Sequence, residues 1–335
     1  MNNLRAFRLP VKIGIALLLV ALFAGGYGTR MLTEPAEPVH SQIRLKGYRF
    51  IHPLLECEVP HLTDTVHPDI DPLRDAVQDV VDEHVKDRSA QVIAVYFRDL
   101  TSGAWFGIND RERFTPASLM KVPLMIAVLK RSEGKPEYLL RELRYTGGLD
   151  LREFQHVPPA EVLQKGASYT IDDLLYRMIA YSDNDAAMLL ARAHGGALLA
   201  GTFADLQLPF REGVGEEFID VRSFSAFFRV LFNASYLSHG SSERALGYLS
   251  RSPYADGIRS GLPQGVSVAS KFGEFSAGSY QLHEFGVVYY PDHPYLLGIV
   301  TKGGTPVSLP HVLQELSKAI YGELERQHRE QSKTP

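Results

Sequence analysis

The chain has 335 residues, 45% of them hydrophobic and 22% charged, enough apolar sequence for one large domain or two modest ones, which excludes a disordered polypeptide. A formal net charge of −4 and a pI near 6.3, with no run of Lys or Arg, leave no basic field to track phosphates and exclude nucleic acid as an expected partner. The single cysteine, Cys57, cannot close an internal disulfide and stands outside the motifs below, so it reads as a packed or idle thiol.

In chain order, Arg5, Arg8 and Lys12 precede an apolar run from Ile13 to Ala24 that continues through Gly28. Positive charge followed by an apolar run is the order of an export segment, and the run is short against the roughly 20 residues of a spanning helix. Residues 1–28 are therefore expected to be a signal anchor, with a cleaved signal peptide as the alternative. Either reading puts the body outside the cytoplasm, tethered to the inner (cytoplasmic) membrane by its amino-terminal segment or secreted or periplasmic. Residues 29–72 carry prolines without a sustained period and read as an extracytoplasmic linker.

From 73 the pattern becomes regular. Leu73, Val77, Val80, Val81 and Val85 recur at helical spacing, "QVIAVYFRD" (Gln91 to Asp99) is strand-like, and Ser102-Gly103 turns it toward a second short strand, "AWFGI". In "FTPASLMKVPLMIAV" (Phe114 to Val128) a helix starting near Pro116 would set Ser118 and Lys121 at positions i and i+3, on one face. Thr170 followed by Asp173 makes a capping box for Ile171 to Tyr181. Arg222 to Asn233 is apolar nearly all round, with Phe224, Phe227, Phe228 and Phe232 as core. Val266 to Lys271, Leu282 to Tyr290 and Tyr295 to Thr301 read as strands, and a helix from about Val307 to Glu325 closes the chain. The order predicts an α/β (α+β) domain over residues 73–328 in three layers. Helices from both chain ends cover one face of a five-stranded antiparallel sheet, and a helical subdomain at about 116–262 covers the other. A site is expected in the cleft between sheet and helical block.

The serine and lysine one turn apart can share a proton, but Ser-x-x-Lys alone is weak evidence, since Ser132-Glu133-Gly134-Lys135 fits it too. Two further elements sharpen it: Ser182-Asp183-Asn184 follows the helix ending near Tyr181, and Lys271-Phe272-Gly273 ends a strand. Lys302-Gly303-Gly304 is a decoy for the last pattern.

From about Val92 to the final helix, this set resembles the serine-reactive domain shared by class A β-lactamases and penicillin-binding proteins, with its S-x-x-K, S-D-N and K-T-G signature. "DGIRSGLPQGVSVASKFG" and "EFGVVYYPDHPYLLGIVTKGG" are similar to the approach to the third motif and the two strands after it. The resemblance implies a serine hydrolase that forms an acyl-enzyme on Ser118, acts on β-lactams in response to antibiotics, and needs no cofactor or metal. Lys121 would be the base, neutral because burial and the positive charge of Lys271 both disfavour its ammonium. Ser182 would relay the proton to the leaving nitrogen. Asn184 would hold Lys121 and the substrate amide, and Lys271 the substrate carboxylate. Gly273 would belong to the substrate-binding strand, and the backbone N–H groups of Ser118 and Glu274 would form an oxyanion hole. Asp183 is expected to cap the next helix.

Two departures qualify these expectations. Phe272 replaces a hydroxyl that would meet the carboxylate. The E-x-x-L-N segment with the deacylating glutamate is absent from "DLQLPFREGVGEEFIDVRSF", leaving Glu212, Glu216 and Glu217 as candidates by location alone. The alternatives are therefore a D-Ala-D-Ala peptidase or another amidase or esterase on a small-molecule or peptide substrate, and a binding protein that kept the fold. His194, His283 and His311 show no metal-ligand spacing, although His283 begins a strand placed beside the cleft wall.

Overall fold

A computed structural model describes residues 42–57, 69–148, 156–211, 215–276, 278–291 and 293–332. The export segment expected over 1–28 lies outside the described residues. Among those described, no helix is long and apolar enough to cross a membrane.

Five strands form the central sheet: β1 (Val92–Asp99), β2 (Trp105–Ile108), β3 (Val268–Phe275), β4 (Tyr280–Val288) and β5 (Tyr295–Gly304). Their order is β2-β1-β5-β4-β3, every pair antiparallel, with Val92 of β1 opposite Lys302 of β5 and Phe285 of β4 opposite Lys271 of β3. The strands lack a hydrophobic-in, polar-out alternation because both faces are covered. Ile93, Val95, Phe97, Leu297 and Ile299 enter one apolar layer with Leu313, Leu316 and Ile320, whereas Ala94, Tyr96, Leu296 and Val300 enter the other with Met125, Phe224 and Phe228.

The first layer is roofed by α1 (Ile70–Lys86) and by the terminal helix, α8 (Ser308–Gln331). The second is the helical block: α2 (Lys121–Ser132), α3 (Ile171–Ala180), α4 (Asn184–His194), α5 (Gly196–Asp205), α6 (Val221–Phe232) and α7 (His239–Leu249). Phe224, Phe227, Phe228 and Phe232 are fully buried, as their spacing predicts. Thr170 caps α3 by accepting the Asp173 N–H at 3.1 Å.

Three boundaries differ from expectation, each for a physical reason. The opening helix begins at Ile70, capped by Asp69, and Pro72 sits inside its first turn, where no backbone donor is needed. The helix expected from Pro116 is a 3-10 turn, Ala117–Met120, followed by α2, whose Pro123 is again in a first turn. Strand β3 runs on to Phe275, so the Lys-Phe-Gly motif lies within the strand and not at its end.

The linker expectation over 29–72 also fails in part. Gln42–Arg44 pairs antiparallel with Leu54–Cys57, and Phe50 and Ile51 are buried in the second layer. The Glu243 carboxylate on α7 accepts the N–H groups of Arg49, Phe50 and Ile51 at 2.9–3.0 Å, and Arg44 donates to His52 O and to Asn233 Oδ1. Two side chains and one distant carboxylate fix this segment, which leaves no period in its sequence.

Candidate active site

The 3-10 turn before α2 carries Ser118. With three residues per turn, positions i and i+3 eclipse, so Lys121 stands directly over the serine, 3.0 Å from Nζ to Oγ. Ala117, just before it, holds a left-handed φ of 48°, which costs a residue with a Cβ about 1–2 kcal/mol. Strain of that size persists only where the surroundings impose it.

The Ser-Asp-Asn motif is the corner between α3 and α4. Tyr181 ends the first helix, and Asp183 caps the second by accepting the N–H groups of Asp185 and Ala186 at 2.8 and 3.1 Å, which meets the capping expectation for Asp183 and frees Asn184. Ser182 between them is buried at a left-handed φ of 55°, which turns both its oxygens toward Lys121. Lys121 Nζ donates to Ser182 O at 2.7 Å and to Asn184 Oδ1 at 2.7 Å, and lies 3.1 Å from Ser182 Oγ. On β3, Lys271 Nζ lies 2.9 Å from the same Ser182 Oγ and donates to Phe272 O at 2.8 Å. The three motifs thus meet in one unbroken chain of polar atoms: Ser118, Lys121, Ser182, Lys271.

Electrostatics follow from burial. Desolvation pulls Lys121 from 10.5 down to about 7, against the opposing pull of Asp183 and Glu274. Lys271 is driven well below its ordinary value, first by desolvation and then by the positive charge of Lys121. The lysine expected to stay positive is thus itself depressed, although Glu284 and Glu274 pull it upward. Two buried amines bridged by one hydroxyl cannot both hold a proton's charge cheaply. A hydroxyl donates once and accepts twice, so Ser182 can hydrogen-bond to both amines at once.

Gly273 explains how the strand reaches the serine. A Cβ there would meet Pro116 O at 2.8 Å and Leu119 N at 3.0 Å, so only a bare backbone lets β3 lie against the 3-10 turn. As the sheet's edge strand, β3 leaves alternate N–H groups unpaired on its outer side, where an oxyanion could use them. The Glu274 carboxylate accepts the Val157 N–H and the Tyr280 hydroxyl at 3.1 and 3.2 Å. Phe272 projects from the opposite pleat to Lys271, buried and stacked on Tyr254 at 4.2 Å, within the layer under α8. Its ring is core.

A cavity of about 320 Å³ opens beside the serine, lined by Ser118, Lys121 and Asn184 and by apolar side chains of α2, α4 and α5, including Leu124, Met188 and Leu199. This wall was invisible in the sequence, because Ala187, Ala191, Gly195 and Gly196 leave room only once two helices are placed together.

The loop glutamates take other roles. Glu216 pairs with Arg211, Glu217 pairs with Lys302, and Glu212 lies outside the described residues. Lys302 of the decoy motif also holds Glu112 and Arg113 O. Ser132, the other decoy, donates back to Leu129 O. His283 is fully buried edge-on against Phe114, and burial lowers it to about 3, which makes it a neutral core residue. His194 lies 2.7 Å from Leu190 O, and His311 pairs on the surface with Glu315.

Fold and polar chain together define a class A β-lactamase-like serine hydrolase domain. The model of the beta-lactamase enzyme family matches residues 72–324, and the chain belongs to that family. A curated relative, beta-lactamase SME-1 of Serratia marcescens, is 31% identical over 105 residues, 31% of this chain and 34% of that protein, so the match spans about a third of the relative's length. Two solved structures share the fold over most of their length. PBP-A has a TM-score of 0.66 and 22% identity, covering 78% of this chain and all of its own. A class A β-lactamase from Mycobacterium abscessus has a TM-score of 0.64 and 21% identity, covering 75% and 99%.

Proposed function

We propose that the chain catalyses acyl transfer from amides or esters through a covalent adduct on Ser118, with β-lactams as acylating substrates. The observation that carries this reading is the Ser118 Oγ to Lys121 Nζ contact of 3.0 Å, made by an amine whose burial brings it to about 7. Lys121 takes the hydroxyl proton as Ser118 Oγ bonds to the acyl carbon. The proton then passes through Ser182 to the leaving nitrogen as the old bond breaks. Asn184 keeps the Lys121 amine aimed, and the outer N–H groups of β3 stand where oxyanion charge develops.

The E-x-x-L-N segment is absent from the sequence, and Glu216 and Glu217 pair with Arg211 and Lys302, which supports a reading in which release of the acyl group is the slow step. The behaviour expected is that of a penicillin-binding peptidase or a slowly turning lactamase, with a cell-wall-like peptide as the alternative natural substrate. We read residues 1–28 as an export segment and membrane anchor that places this chemistry outside the cytoplasm, on the strength of Arg5, Arg8 and Lys12 ahead of the apolar run.

Intact mass after exposure to benzylpenicillin tests the reading. The wild type should gain one penicilloyl mass that persists for minutes, and Ser118→Ala should gain none. A folded wild type that stays unmodified would refute acyl chemistry and favour the binding reading. The pH dependence of this acylation follows from the base. Below about pH 7 Lys121 holds a proton and cannot accept another, so acylation should fall about tenfold per pH unit there and level off above it. Stopped-flow acylation rates between pH 5 and 9 measure this, and a flat profile would remove Lys121 as the base.

A further inference from the structure

The cavity beside Ser118 has two features that the proposed chemistry does not require. Among the described residues, its lining apart from Ser118, Lys121 and Asn184 is apolar, supplied by Leu124, Met188, Leu199 and the small residues of α4 and α5. It also leaves the serine on one flank only. Lys121 and Asn184 line it, whereas Ser182, Lys271 and Gly273 do not. The leaving group must face Ser182, which supplies its proton, so the space on the other flank falls to the part of the substrate that stays on the serine.

Resting on the acyl-transfer reading, we propose that this cavity is an acyl pocket, and that the preferred acyl donors carry an unbranched or lightly branched apolar chain of medium length. At about 320 Å³ it lies at the small end of the range of ligand pockets. A chain of medium length suits it better than a very short or a very long one. In the reaction Ser118 Oγ bonds to the acyl carbon, the alkoxide or amide leaves with the bonding pair and takes the proton from Lys121 through Ser182, and water later releases the fatty acid. While the chain occupies the pocket it displaces water from the flank of Lys121 and Asn184, which fits a long-lived acyl-enzyme.

The test is a series of p-nitrophenyl esters from acetyl to hexadecanoyl. Burying each added methylene favours the longer ester, so kcat/KM should climb about tenfold or more between acetyl and octanoyl and gain nothing beyond about twelve carbons. Ala187→Phe and Ala191→Phe place a ring in the cavity and should each cut the octanoyl-to-acetyl ratio at least fivefold. Ala191 is exposed at the helix surface, so its variant is expected to fold even if the half-buried Ala187 variant does not. A flat chain-length profile in a wild type that turns over acetyl ester, or a preference untouched by Ala191→Phe in folded protein, overturns the pocket and leaves the acyl chemistry standing. If no ester is turned over and no penicillin adduct forms, the acyl chemistry falls. Calorimetry with octanoate and acetate then decides the pocket: octanoate binding alone keeps it, and no binding by either ends it.

Discussion

Replacing Lys121 by methionine should lower the rate of Ser118 acylation by about 10²- to 10⁴-fold, the usual contribution of a positioned base, while making the protein more stable. The two effects have one origin. An amine with almost no exposure that must stay neutral near pH 7 is expensive to bury, and methionine fills similar space without a charge to desolvate. Linkage gives the sign. The folded value is about 7 and the unfolded value 10.5, so between them the unfolded chain binds a proton that the folded chain does not. Stability should rise with pH through that window and be lowest below it. Lys271 is shifted in the same direction and adds to the slope. Urea midpoints at pH 7 and pH 9 should differ clearly for the wild type and less for Lys121→Met. A variant that acylates normally, or one that loses stability at both pH values, contradicts the argument.

Gly273→Ala should damage the site and the fold together. The new methyl would press on Pro116 O and Leu119 N, backbone atoms that cannot swing away as a side chain end could. Overpacking of this kind costs about 1–3 kcal/mol, which should appear as a lower melting temperature. Relief requires β3 and the 3-10 turn to separate, and a displacement near 1 Å between a nucleophile and the groups around it can cost about 10² in rate. Nitrocefin acylation measured beside thermal melting separates the terms. Full activity with a lower melting temperature would mean that the strand does not need to touch the turn.

What could be read from the sequence was what repeats or spells. Apolar runs of strand length bounded by turn residues gave all five strands, although with both faces covered they show little alternation. The three motifs assembled because Lys121 and Lys271 both reach the Ser182 hydroxyl. The helix start at Lys121 and the first-turn positions of Pro72 and Pro123 were hidden, since a proline reads as a breaker until the helix around it is known. Residues 42–57 read as a spacer from sequence, because Phe50 and Ile51 are held by Glu243, nearly two hundred residues away. Phe272 was legible as a missing hydroxyl. Its burial against Tyr254 was not, because the pleat that sets the ring there depends on the register of β3 with β4.

The order of the strands bears on when the nucleophile comes into being. β1 and β2 lie early in the chain, yet β1 has β5 as its second partner, and β5 comes almost at the end. Pairings between such remote segments close late and slowly in folding. Until they close, Lys121 is an ordinary hydrated ammonium and Ser118 an ordinary alcohol. A half-folded chain in which β5 has not yet paired with β1 is therefore expected to lack a reactive serine.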